Sequence, residues 1–169
     1  MQREAAAREQ PKPFVHVALE ADVRLSAPLY MTEDRSRVEA AILALFPDAT
    51  FEAGEPAERV EGRARDLTRV AEVLRHSRIR DTARSQLTLA IASPTTLRFL
   101  LNKQAACAAR VNFVGPGELL GAIEVEIEAP DAAALAEELT WIEGESDERL
   151  FGTKLHTLPP DRRPAARRL

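Results

Sequence analysis

The chain has 169 residues, a formal net charge of -4 at pH 7 and one cysteine. Its length suits one domain with short tails, and a lone cysteine excludes an intrachain disulfide. No apolar run approaches the roughly 18 residues that span a bilayer, and the N-terminus lacks the apolar core of a signal peptide, so we expect a cytoplasmic protein.

The N-terminal third of the chain predicts an arm, a strand and a helix. Residues 1–12 are polar and predict a flexible arm. Residues 14–25 then alternate strictly between apolar and polar side chains, which indicates a strand with one buried face. Thr32 is placed to cap the following helix, whose apolar residues recur at helical spacing. Its expected core-facing residues are Val38, Ala41, Ile42, Leu45 and Phe46.

The middle of the chain predicts a β-hairpin followed by two helices. A turn at Gly54 and Pro56 joins the two strands, and Asp66 and Ser77 are suitable helix caps. The predicted strands are 49–53 and 59–65, and the predicted helices are 67–76 and 78–92. The expected core face of the second helix is Ile79, Ala83, Leu87 and Ile91.

The C-terminal part predicts three strands, a helix and a basic tail. The strands are predicted at 95–101, 110–114 and 121–129, and the helix at 131–142. A connector of small residues at 102–109, long enough for one or two helical turns, separates the first two strands. The pattern decays after residue 144, apart from a short strand at 154–158. The domain is therefore expected to span 13–158, and the tail at 159–169 to be disordered.

The order of these elements, roughly β-α-β-β-α-α-β-β-β-α, indicates an α+β fold. The strands alternate in polarity instead of being apolar throughout, which favours a largely antiparallel sheet with one solvated face. We expect the helices to pack on the other face.

The charged residues are distributed unevenly along the chain. Residues 73–117 carry seven positive side chains and one carboxylate, a net charge of +6, so the rest of the chain sums to -10. The positive residues are Arg75, Arg78, Arg80, Arg84, Arg98, Lys103 and Arg110. This basic block predicts an anion-binding surface, and nucleic acid is the commonest large anion. Arginine, which outnumbers lysine 20 to 3 in the chain, is also the better bidentate phosphate ligand.

Several short strings resemble a known family. They are ALFPDA (44–49), RIRDTARS (78–85), LNKQAA (101–106), VNF (111–113) and LGAIEVEIE (120–128). In this order and at this spacing they are similar to an archaeal family of uncharacterised proteins, one of the UPF series, classed as RNA-binding. The resemblance covers about residues 15–142. The chain departs from the family pattern at Ala109, where glycine is usual, and at Leu119 and Ala122, where proline is common.

The resemblance implies a fold like that of the ribosomal protein that binds 5S ribosomal RNA, and a function in binding structured RNA by its shape and backbone. The expected RNA-binding residues are Arg75, Arg78, Arg80, Arg84 and Lys103. If each neutralises one phosphate, log affinity falls with log salt at a slope of about -3.5 to -4.5.

Each candidate also has a structural interpretation. The arginines could lie on a solvated helix face or pair with carboxylates of the same chain. For Asn102 and Gln104, beside Lys103, holding the backbone of the connector is favoured.

The exposed face of the sheet is expected to carry charges of both signs. Glu124, Glu126 and Glu128 point outward from one strand, and Arg98 and Arg110 are expected to pair with them across strands. The outward positions carry no aromatic side chain, which argues against RNA bases stacking on the open sheet.

Catalysis has little support in the sequence. His16, His76 and His156 lack the spacing of metal ligands, and Cys107, among alanines, is expected to be a small core residue. We therefore predict a protein that is not an enzyme, needs no cofactor or metal, binds RNA and is a monomer or weak homodimer. The alternative is a protein-interaction module in a larger archaeal assembly, where the same arginines meet an acidic partner.

Overall fold

A computed structural model of the chain describes residues 16–53, 58–118 and 121–142. The strands are β1 (Glu20–Pro28), β2 (Thr50–Phe51), β3 (Arg59–Asp66), β4 (Ile91–Ser93), β5 (Thr96–Asn102) and β6 (Ala122–Glu128). The helices are α1 (Arg35–Leu45), α2 (Thr68–His76), α3 (Arg80–Leu89), α4 (Lys103–Cys107) and α5 (Ala132–Thr140). All of these elements belong to one compact unit, Pro13–Ile142.

The strands form one antiparallel sheet in the order β2-β3-β1-β6-β5-β4. Side chains alternate between an inner and an outer face. The inner face supplies buried residues to the core, among them Val23, Leu25, Val60, Ala64, Leu97, Phe99, Leu101, Ile123, Val125 and Ile127. The predicted α+β class, with a largely antiparallel sheet, is confirmed.

The helices cover the inner face in two groups. α1 packs on α4, whereas α5 packs on both α2 and α3. The predicted stripe is confirmed, because each of its five residues, Val38, Ala41, Ile42, Leu45 and Phe46, is at most 6% exposed. Burying a side chain of this kind contributes about 1.5 to 3 kcal/mol. None of the described helices is long and apolar enough to cross a membrane.

Short polar side chains fix the starts of three helices. Oδ1 of Asp34 accepts a hydrogen bond from the backbone N–H of Ser36 at 3.0 Å, and Asp131 and Asn102 cap α5 and α4 in the same way. Thr32 as the cap of α1 is therefore wrong, because Asp34 occupies the capping position. The structural role favoured for Asn102 is confirmed.

The predicted helix at 78–92 is too long at both ends. It begins at Arg80 and gives way to β4, which pairs with β5 in a hairpin. Because α3 starts after Ile79, this side chain is 39% exposed instead of lying in the core. Ala83 and Leu87 are buried as predicted.

Two predicted strands also differ from the observed ones. The strand at 14–25 begins later, at Glu20, and continues to Pro28. The segment 110–114 forms a single bridge, between Phe113 and Leu101, instead of a regular strand. The hairpin of β2 and β3 and the strand at 121–129 are confirmed.

The remaining predictions fall outside the described residues. They are the arm at 1–12, the turn at Gly54 and Pro56, the strand at 154–158 and the tail at 159–169. The domain limits of 13–158 therefore stay a prediction.

Candidate nucleic-acid interface

The fold divides the five candidate RNA-binding residues between the two helix groups. Arg75 lies on α2, Arg80 and Arg84 lie on α3, and Arg78 lies in the connection between these helices. Lys103 is the first residue of α4, which packs on α1. The four arginines therefore share one neighbourhood, and Lys103 belongs to another.

Lys103 is buried, and the fold compensates its charge. Its side chain is 6% exposed, and Nζ donates to both carboxylate oxygens of Glu33, at 2.7 and 2.8 Å. Nζ also donates to the backbone oxygen of Pro28 at 2.9 Å and lies 4.8 Å from the centroid of the Tyr30 ring, where a cation–π interaction forms. A phosphate would have to displace these partners, so the geometry favours a structural role for Lys103.

The ion pair of Glu33 and Lys103 also affects the acidity of the carboxyl. Burial alone would raise the pKa of Glu33, but hydrogen bonds from Lys103 and from the backbone N–H of Tyr30, with the charge of Lys103, lower this pKa below its ordinary value of 4.5. Glu33 is therefore ionised at neutral pH, and the pair with Lys103 persists there.

Arg75 is held by Glu138, a buried carboxylate on α5. Nη2 of Arg75 donates to the backbone oxygen of Glu138 at 2.6 Å and to its Oε1 at 2.9 Å. Oε2 of Glu138 accepts from the backbone N–H of Val17 at 3.2 Å and lies 3.1 Å from Nδ1 of His16. Glu138 thus joins α2, α5 and the segment before β1. Arg75 follows the alternative interpretation, in which it pairs within the chain.

The other three arginines surround the α2–α3 connection. Arg78 is exposed and makes no hydrogen bond or ion pair with another described residue. Arg80 and Arg84 are half-buried, and Nε of Arg84 donates to Oγ1 of Thr140 at 3.2 Å. Asp81 is the one carboxylate of α3. Three arginines and one aspartate give this region, which we call the α2–α3 cluster, a local charge of +2.

The outer face of the sheet carries cross-strand ion pairs, as expected. Nε of Arg98 donates to Glu126 at 2.8 Å, and Arg24 reaches Glu126 and Glu128 at 2.8 and 2.9 Å. The pairing predicted for Arg98 is confirmed. The pairing predicted for Arg110 is wrong: this residue follows α4 outside the regular strands, is exposed, and forms no ion pair with a described residue.

Sequence reasoning missed the two carboxylates that neutralise candidate residues. They are Glu33, which pairs with Lys103, and Glu138, which pairs with Arg75. A signal for Glu138 exists, because it lies beside Leu135 and Leu139 on the buried stripe of α5. A charged residue on such a stripe is almost always paired.

Of the residues considered for catalysis, the structure describes His16, His76 and Cys107, and His156 lies outside the described residues. Within the described ranges, no group of three or more histidine, cysteine, aspartate or glutamate side chains could hold a metal ion. Cys107 as a core residue is wrong, because it is exposed on α4, where Lys103 and Ala106 take the buried positions.

Comparison with known proteins identifies the family. A protein-family model described as RNA binding matches residues 22–129. The UPF0201 protein of Methanothermobacter thermautotrophicus is 39% identical over 121 residues, which cover 71% of this chain and 89% of that protein. The chain belongs to the UPF0201 family. The UPF0200/UPF0201 protein of Archaeoglobus fulgidus is 38% identical over 112 residues, but this chain spans only 34% of its length.

Solved structures of UPF0201 proteins share the fold. The crystal structure of the UPF0201 protein from Methanococcus jannaschii superposes with a TM-score of 0.64 at 31% identity, covering 71% of this chain and 99% of that one. A crystal structure of an uncharacterised UPF0201 protein gives a TM-score of 0.59 at 34% identity, covering 64% of this chain and 82% of that one. The family resemblance read from the short strings is confirmed. Likeness to the 5S-RNA-binding ribosomal protein stays a prediction.

Proposed function

We propose that this UPF0201 protein is a non-catalytic RNA-binding protein that contacts phosphates through Arg78, Arg80 and Arg84 of the α2–α3 cluster. The match to the RNA-binding family model carries the proposal, because the matched residues 22–129 include the whole basic block. The family description supports the class of ligand. The carboxylate contacts of Arg75 and Lys103 argue against including these two residues.

Those contacts reduce the expected number of phosphates from five to three. Lys103 and Arg75 each have a carboxylate oxygen of the chain close by, at 2.7 and 2.9 Å. Removing a partner from a buried pair leaves a charge uncompensated, so a phosphate gains little by competing at these two residues. Three phosphate contacts at the cluster contribute about -2 to -3 to the slope of log affinity against log salt.

The surroundings of the cluster favour recognition of the RNA backbone over recognition of bases. Thr82 and Gln86 are exposed on α3, and their hydroxyl and amide groups can bond to phosphate oxygens and 2′-hydroxyls. The described residues of the outer sheet face carry no aromatic side chain on which bases could stack. Structured RNA, recognised by shape and backbone, is therefore the favoured ligand class.

A charge reversal at Arg78 tests this proposal. Arg78 is the exposed member of the cluster, so Arg78→Glu should leave the fold intact. It should weaken binding to structured RNA at low salt and reduce the magnitude of the salt slope by about 1. Arg110→Glu is the matched control, because Arg110 is also exposed and has no ion pair with a described residue but lies beyond α4. Urea unfolding of both variants checks their stability.

The two variants separate a local site from a general effect of charge. Equal loss of affinity in Arg78→Glu and Arg110→Glu would contradict the α2–α3 cluster as the site. A parent chain that binds no structured RNA at low salt would contradict the RNA-binding function itself.

A protein-interaction module is the second candidate function. Ile79 precedes α3 and Leu89 is its last residue, and they are 39% and 80% exposed. Exposed apolar side chains beside arginines are also found at protein interfaces. Purification from native extract with and without ribonuclease distinguishes the two functions, because protein partners that survive ribonuclease treatment would favour the interaction module.

A further inference from the structure

The outer face of the sheet carries two arginines to which the fold gives no partner among the described residues. Arg63 and Arg65 lie two residues apart on β3 and are both exposed. Neither side chain makes a hydrogen bond or an ion pair with another described residue. Alternate residues of a strand are roughly 7 Å apart, which allows two guanidinium groups to reach successive phosphates of one polynucleotide strand.

The other arginines on this face differ from these two. Arg24 and Arg98 both bond to Glu126, and Arg59 pairs with Glu124 at 2.9 Å. These arginines account for all three outward glutamates of β6, since Arg24 also reaches Glu128. The ion pairs of the sheet thus stabilise the fold without using Arg63 or Arg65.

The position of Arg63 carries an electrostatic cost. It lies directly opposite Arg24 in the pairing of β1 with β3. Like charges in opposed positions destabilise a sheet. Arg24 is compensated by two glutamates, whereas the described residues provide no carboxylate within ion-pair distance of Arg63. An external anion would remove this repulsion.

Arg63 and Arg65 line a shallow cavity of about 380 Å³, whose other lining residues include Thr50, Asp22 and Asp48. Oδ2 of Asp48 accepts hydrogen bonds from two successive backbone N–H groups, those of Arg65 at 2.7 Å and Asp66 at 3.0 Å. Asp48 therefore satisfies two backbone N–H groups at the end of β3. Asp22 is exposed and opposes an incoming anion, which gives the site a charge that can be removed experimentally.

We propose that Arg63 and Arg65 form a second phosphate-binding site, on the face of the sheet opposite the helices. The pair binds adjacent phosphates of a polynucleotide backbone. The identity of this ligand rests on the proposed RNA-binding function, although the anion chemistry does not. Because the α2–α3 cluster lies on the helical side of the sheet, the chain contacts two separate stretches of RNA backbone.

Inorganic polyphosphate is the probe that tests the site independently of RNA. In the parent chain at low salt, we expect saturable shifts of the Nε–Hε NMR resonances of Arg63 and Arg65. The double variant Arg63→Ala/Arg65→Ala should reduce the magnitude of the RNA salt slope by about 1.4 to 1.8, the value for two phosphates. Its stability should be unchanged or slightly raised, because the repulsion from Arg24 is removed.

Two further variants sharpen the experiment. Arg98→Ala removes an arginine from the same face, but one that is already paired with Glu126, so it should leave polyphosphate and RNA affinity unchanged. Asp22→Asn removes the opposing carboxylate and should tighten polyphosphate binding at low salt, with the gain disappearing as salt screens the charge.

The possible outcomes separate this site from the proposed function. Absent shifts at Arg63 and Arg65, or equal loss of binding in Arg98→Ala, would overturn the second site whether or not RNA binds. Polyphosphate shifts in a chain that binds no RNA would support the site and reject the RNA-binding function. RNA binding that is lost in Arg78→Glu, but has the parental salt slope in the double variant, would keep the function and overturn the second site.

Discussion

At the scale of single residues, Glu138 and Glu33 pair with two basic residues of the 73–117 block, Arg75 and Lys103. Glu138 is 7% exposed at its side chain and bonds to Arg75, which is 23% exposed. The carboxylate also accepts from the backbone of Val17. Its charge and its hydrogen bonds thus hold three parts of the unit together, and none of these contacts requires RNA.

Replacement of Glu138 should therefore destabilise the fold strongly. We expect Glu138→Ala to lower the free energy of unfolding by about 2 to 4 kcal/mol, because the partly buried guanidinium of Arg75 and the N–H of Val17 lose their acceptor. Urea unfolding followed by circular dichroism measures the change. Glu137→Ala is the matched control: this neighbour is exposed, and its replacement should cost no more than about 0.5 kcal/mol. Equal losses in both variants would contradict the role given to Glu138.

The pair of Glu33 and Lys103 should make stability depend on pH. The pKa of Glu33 is lowered in the folded state, so the unfolded chain binds more protons in the acid range. The stabilisation is fully present above the ordinary pKa of 4.5 and is lost as pH falls through the lowered value. We expect Glu33→Gln to destabilise the chain at neutral pH and to have a progressively smaller effect as the pH falls below 4.5. Urea midpoints across this range provide the measurement.

A double variant controls for the loss of the hydrogen bonds themselves. Glu33→Gln leaves the Lys103 ammonium buried without a carboxylate, whereas Glu33→Gln/Lys103→Met removes both charges. Replacing a whole buried pair is often nearly neutral, so the double variant should be the more stable of the two at neutral pH. A double variant that is less stable than Glu33→Gln would mean that Lys103 stabilises the fold without its carboxylate partner.

At the scale of elements, the end of α4 places an alanine in a backbone conformation that favours glycine. Arg110 N–H donates to the carbonyl of Ala105 and Ala109 N–H to that of Ala106, the hydrogen-bond pattern of a Schellman motif. Ala109 occupies the position that needs a left-handed backbone, with φ of 52°. An alanine pays a steric cost there that a glycine does not.

A glycine at position 109 should consequently stabilise the protein. We expect Ala109→Gly to raise the free energy of unfolding by about 0.5 to 1 kcal/mol, because the left-handed strain exceeds the extra entropy of glycine in the unfolded chain. Ala108→Gly is the control, since Ala108 has φ of -94° and gains nothing from the substitution. Thermal unfolding of the two variants measures the difference. Stabilisation by Ala108→Gly, or destabilisation by Ala109→Gly, would count against this explanation.

The elements that the sequence predicted best are those whose pattern is long. The stripe of α1 and the alternation of β6 repeat over several residues, so periodicity identifies the element and its buried face. β4 has three residues, and the segment around Phe113 forms a single bridge. Such short segments are extended because β5 provides backbone hydrogen-bond partners for them. A pattern of three residues in the sequence does not reveal which strand that partner is.

At the scale of the whole molecule, the basic residues of the candidate site could be predicted from the sequence. Which of the helical ones pair with carboxylates of the same chain could not. The charge of residues 73–117 is visible in the sequence, and the pairing of Arg98 with the acidic strand followed from alternation. The ion pairs of Arg75 and Lys103 join residues that are 63 and 70 positions apart in the sequence. Contacts of that range depend on how α1, α2, α4 and α5 pack. The same packing places Arg63 and Arg65 on a face opposite the helices.

The basic tail at 159–169 should add affinity for RNA without adding selectivity. It carries four arginines and one aspartate, a charge of +3 in a chain whose net charge is -4. We expect a chain that ends at residue 158 to bind every RNA more weakly, with a salt slope reduced by up to about 3 and unchanged discrimination between structured RNAs. Affinity measured from low to moderate salt tests this expectation.

A 169-residue control with glutamine at Arg162, Arg163, Arg167 and Arg168 should behave like the shortened chain, because the attraction comes from the charge of the tail and not from its length. If the shortened chain instead loses its preference among RNAs, the tail contributes to recognition as well as to attraction.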